Sequence, residues 1–71
     1  MERYTDTNGD SGVLNYEIGD DYIVVQFKTG AVYTYTYASA GREKIETMKT
    51  LAKSGNGLNS FINKYARKLY I

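Results

Sequence analysis

The residues best equipped for chemistry here are tyrosines and bases. The chain carries eight tyrosines in 71 residues, three of them in Tyr33-Thr-Tyr-Thr-Tyr37, and its lysines and arginines gather in the second half. Rings at period two can form a platform on which nucleic-acid bases stack. They can equally serve a small core that lacks tryptophan and needs large rings, with hydroxyls reaching its rim. The second use is expected for Tyr33 and Tyr35, and Tyr37 at the strand end is open to either. Lys64, Arg67 and Lys68 stand at i, i+3 and i+4, and Lys49 and Lys53 form a second pair four residues apart. Such clusters suit phosphate contacts, which supply affinity and position without reading sequence. They also suit a solvated helix face, where bases near a C-terminus complement the helix dipole.

Other chemistries are poorly supplied. Cysteine and histidine are both absent, which removes disulfides, thiolate nucleophiles, imidazole bases and the commonest transition-metal ligands together. Glu43 and Glu46 share a helix flank, but bases surround them, and salt bridging accounts for them better than acid/base catalysis. Gly55-Asn-Gly57 before a helix could cradle an anion, yet without a following lysine ordinary capping explains it. The expectation is a protein that is not an enzyme and uses no cofactor and no metal.

Size and charge narrow the partner classes. Seventy-one residues allow one core, and 42% hydrophobic with 24% charged residues describes a chain that folds. No apolar run approaches the roughly 18 residues of a membrane span and the start lacks the pattern of a secretion signal, so the expected setting is cytoplasmic, without membrane contact. The net charge of +1 is unevenly placed: residues 1–36 hold six acids and two bases, residues 37–71 two acids and seven bases. A basic second half favours an acidic partner.

These residues need elements to position them. Thr5 to Gly12 holds no apolar side chain, so residues 1–12 read as a flexible N-terminal arm, with the folded domain at 13–71. A first strand starts at Val13, with Leu14, Tyr16 and Ile18 alternating with Val13, Asn15 and Glu17 until the Gly19-Asp20-Asp21 turn. A second spans Tyr22 to Lys28, with Ile23, Val25 and Phe27 on one side. A third spans Ala31 to Tyr37. A two-residue turn at Thr29-Gly30 would set Phe27 beside Val32. A three-residue Lys28-Thr29-Gly30 turn, with Gly30 left-handed, pairs Phe27 with Ala31, Val25 with Tyr33 and Ile23 with Tyr35. The second register buries more apolar area and is the one expected.

Beyond Tyr37 the period changes. Ile45, Met48, Leu51 and Ala52 mark one helix, started by Ser39 or Gly41 and ended near Ser54. Leu58, Phe61, Ile62, Tyr65 and Leu69 mark another, running to about Lys68. The expected architecture is α+β: a three-stranded antiparallel β-meander followed by two α-helices packed on one face, the face bearing the tyrosines. The opposite face would expose Tyr22, Val24, Val32, Thr34 and Thr36, a candidate surface for a protein partner or a homodimer.

Read as Ile23-x-Val25-x-Phe27-x-x-Gly30-x-x-Tyr33-x-Tyr35, then Ala52-x-Ser54 and Asn59-x-x-Ile62-x-x-Tyr65, the chain resembles the KTSC domain over about residues 13 to 70. That family takes its name from the C-terminus of some lysyl-tRNA synthetases and includes small free-standing bacterial proteins, which this chain, carrying no synthetase sequence, is similar to. The resemblance implies structural roles for Phe27, Gly30, Tyr33, Tyr35, Ala52, Ser54, Asn59 and Ile62, and RNA as a partner. Joined to the charge asymmetry, it gives the leading expectation of an RNA-binding module in which Lys49, Lys53, Lys64, Arg67 and Lys68 contact phosphates.

Overall fold

A computed structural model describes residues 1–7 and 12–71. The part of the expected arm at residues 8–11 therefore lies outside the described residues.

The β-branched and aromatic runs form strands β2 (Val13–Ile18), β3 (Tyr22–Phe27) and β4 (Val32–Thr36), an antiparallel meander. In the β3–β4 hairpin Val25 pairs with Tyr33 and Ile23 with Tyr35, the register of the three-residue turn. Gly30 has φ 97°, its N–H donates to the Phe27 carbonyl at 2.9 Å, and the Phe27 N–H donates to the Ala31 carbonyl at 2.8 Å. A side chain at residue 30 would have to adopt that left-handed conformation, which only glycine does without strain. The turn thus turns Tyr35 inward, where it is 1% exposed, while Tyr33 is half-buried against the core.

Two features of the sheet depart from simple alternation. A bulge between Val13 and Asn15 puts Val13 on the inner face with Tyr16, so Leu14 is partly exposed where the pattern would bury it. One extra residue exchanges the faces of everything before it. The sheet also has four strands rather than three, because β1 (Glu2–Arg3) pairs with β2 through Glu2 to Tyr16 and Arg3 to Asn15. Its two residues are too few to show a period of two. What fixes them is the next residue, Tyr4, 3% exposed, whose N–H donates to the Leu14 carbonyl at 2.9 Å.

Helices then cover the inner face. α1 (Tyr37–Ala40) is a single turn, closed by Thr36, whose hydroxyl accepts from the Ser39 N–H while the Ser39 hydroxyl accepts from the Thr36 N–H, both at 3.0 Å. Ser39 therefore serves this short turn, and Gly41 starts α2 (Arg42–Ser54). α2 buries Ile45, Met48 and Ala52 and ends at Gly55, left-handed at φ 76°. α3 (Leu58–Phe61) runs on into a π-helical turn (Ile62–Ala66). The sequence period assigns Tyr65 to the core, but Tyr65 is 57% exposed and Ala66 is fully buried. A π turn bonds i to i+5, so it carries one residue more than an α turn and rotates Ala66 into the place that Tyr65 would hold. Past it the chain returns to the sheet: Tyr70 bridges Tyr35, and the Ile71 N–H donates to the Thr34 carbonyl at 2.8 Å. One core unites Ile23, Val25 and Tyr35 with Ile45, Met48, Leu58, Ile62 and Ala66.

Candidate nucleic-acid interface

The returning C-terminal segment and the Gly30 hairpin face each other across a groove of about 390 Å³. The hairpin supplies Phe27 and Tyr33, the bridge to β4 supplies Tyr70, and the turn that follows Ala66 supplies Arg67 and Lys68. Its rings pack against one another. Tyr70 lies on Tyr33 at a centroid distance of 4.5 Å with a tilt of 38°, and Phe27 meets Tyr33 edge-on at 5.8 Å. Tyr70 is 42% exposed, so the ring stack opens to solvent on one side. This is the geometry on which a further flat ring can stack.

The cations differ in what already holds them. Arg67 and Lys68 take part in no ion pair among the described residues, and neither does Lys64, exposed on the same helical segment. Lys28 also borders the groove, but its ammonium pairs with Asp6 at 3.2 Å. Lys49, expected to contact phosphate, is instead folded in. Its ammonium lies 2.9 Å from Glu46, donates to the Asp20 carbonyl at 2.8 Å and sits 5.4 Å from the Tyr37 ring centre, with the side chain only 12% exposed. Tyr37 donates to the same Glu46 carboxylate. That bond, with Lys49 second, holds the Glu46 carboxyl below its ordinary range; it also raises the Tyr37 phenol, while Glu46 raises the Lys49 ammonium. The cluster clamps the β2–β3 turn to α2. Lys53 borders a separate hollow with Glu2 and Glu17, two acids that disfavour a phosphate there. The fold thus brings together Arg67 and Lys68, with Lys64 beside them, and leaves Lys49 and Lys53 apart.

The residues quoted for the resemblance take different places in the fold. Ala52 and Ile62 are in the core, the Ser54 hydroxyl donates to the Leu51 carbonyl at 2.9 Å, and Asn59 lies against Gly12. On the outer face Val32 is 50% exposed, while Tyr22, Val24, Thr34 and Thr36 are half-buried. Polar cross-strand pairs interrupt that face. Asn15 donates to Gln26 at 3.0 Å and Tyr22 donates to Glu17 at 3.2 Å. Tyr70 is the groove residue that sequence reasoning passed over; the signal was Leu69-Tyr70-Ile71, a short β-prone run just after the last helix.

Burial tunes the ring beneath the groove. Loss of water, and then the neighbouring Tyr33 and Tyr70, push the Tyr35 phenol up from 10.0 to about 12. The unfolded chain ionises this phenol near its ordinary value, so the stabilising difference is complete below pH 10 and disappears as pH rises toward 12. A difference of that size corresponds to about 3 kcal/mol. Urea midpoints measured from pH 8 to 12 should hold steady to about pH 10 and then fall, and Tyr35→Phe should make that fall shallower.

Comparison with protein-family models, with curated proteins and with solved structures finds no match.

Proposed function

We propose that this protein is a non-catalytic binding module for single-stranded RNA, with the Phe27–Tyr33–Tyr70 groove as its base-stacking surface. One observation carries the reading: two cations with no acidic partner among the described residues, Arg67 and Lys68, border the open side of a ring stack. A nucleotide offers a flat ring and an anion a short distance apart, so both halves of the groove have a counterpart in one ligand. The basic second half of the chain and the resemblance to a domain attached to tRNA-charging enzymes favour the same partner class. The outer sheet face is the competing surface, but its apolar side chains, Val24 and Val32 among them, stand among threonines and the Asn15–Gln26 and Tyr22–Glu17 pairs.

Fluorescence anisotropy of a labelled RNA octanucleotide, titrated at 50 and 150 mM salt, tests this. Binding should weaken with salt, with a slope of roughly −0.7 for each phosphate contacted. The variant Arg67→Glu/Lys68→Glu should lose at least tenfold in affinity. Absence of binding at low salt, or binding that salt does not alter, would refute the reading.

A further inference from the structure

Resting on that reading, we infer that the ligand strand crosses from the groove to a second stacking station at Phe61 and Tyr65. These rings lie 5.1 Å apart at a tilt of 46° and border a hollow of about 260 Å³ shared with Glu43, Lys44 and Thr47 of α2. Tyr65 is 57% exposed because the π turn rotates it out of the core and Ala66 in. A continuous α-helix would bury that ring, so the exposure follows from an irregularity of the kind that recurs at functional sites.

Position along the helix makes the two stations one path. Asn63 and Arg67 border the groove, Phe61 and Tyr65 border the hollow, and the exposed Lys64 lies on the crest between, with Lys68 at the groove's lip. A phosphodiester chain leaving the groove meets Arg67, Lys68 and Lys64 before its next base reaches Tyr65. None of the three bases is engaged in an ion pair among the described residues. Glu43 and Lys44 border the hollow with opposite charges, so its two rings rather than a net charge suit it to a base. Stacking on Phe61 and Tyr65 would be tolerant of sequence, since every base offers a π face.

The experiment is an anisotropy series with labelled oligouridylates of two, four, six and eight nucleotides at 50 mM salt on the full chain. Affinity should climb by about tenfold between the dinucleotide and the hexanucleotide, the increment of one further stacked base. Tyr65→Ala should remove that increment in a chain whose far-UV circular dichroism shows it still folded, and Tyr65→Phe should restore it. Equal octanucleotide affinity in Tyr65→Ala and the unaltered protein overturns the second station. If Tyr70→Ala still abolishes binding in that case, the groove reading survives alone. A chain that binds no oligonucleotide of any length overturns both.

Discussion

Replacing Tyr35 with alanine lowers the stability of the fold by about 3 kcal/mol, the loss typical of deleting a buried ring. The ring is 1% exposed, is opposite Ile23 across the hairpin and meets Tyr70 edge-on at 6.2 Å. A chain of 71 residues without disulfides has a small margin. Domains of this size rarely hold more than about 3–5 kcal/mol, so most of that margin disappears. Urea denaturation followed by far-UV circular dichroism reads the effect as a large fall in midpoint with little change in slope. Tyr35→Phe keeps the ring and should lose far less, which separates packing from the hydroxyl. An unchanged midpoint in Tyr35→Ala would mean that the ring faces water, and the hairpin register with it would be wrong.

The hairpin register was readable from residues because one glycine decides it. Gly30 at the end of Lys28-Thr29-Gly30 admits a left-handed backbone, and that register alone gathers the rings with Ile23 and Val25. The helical positions Ile45, Met48, Ala52, Leu58 and Ile62 were readable too, since each follows an unbroken α period and all are buried. Three features were not. The bulge at Leu14 and the π turn at Ile62–Ala66 each insert one residue into a regular period, and the sequence marks neither with glycine or proline. β1 carries no period at all. The candidate site was half readable for the same reason: Arg67 and Lys68 were visible as a basic cluster, but their meeting with Tyr33 and Tyr70 depends on the chain returning to β4 after the π turn. Charge alone also assigned Lys49 to phosphate, because a sequence does not reveal that Glu46, Asp20 and Tyr37 converge on its ammonium.

The N-terminal strand yields the second large effect: Tyr4→Ala should destabilise the fold by about 3–4 kcal/mol. The ring accounts for about 3 kcal/mol of that. The rest comes from its hydroxyl, which accepts the Leu58 N–H at 3.3 Å, one of the backbone donors that the start of α3 leaves without an intrahelical partner. Leaving a buried donor unpaired costs about 1 kcal/mol, so Tyr4→Phe should show that smaller loss alone. The strand is keyed to the helical layer at a second point. The Thr7 N–H donates to the Gly55 carbonyl at 2.8 Å, and a Cβ on Gly55 would come within 1.7 Å of the Thr5 hydroxyl oxygen. Removing residues 1–7 should therefore destabilise the domain at least as much as Tyr4→Ala does, with faster amide exchange in β2 and at Leu58. A truncated chain with the midpoint of the full one would show that residues 1–7 are dispensable and that the three-stranded meander is stable without them.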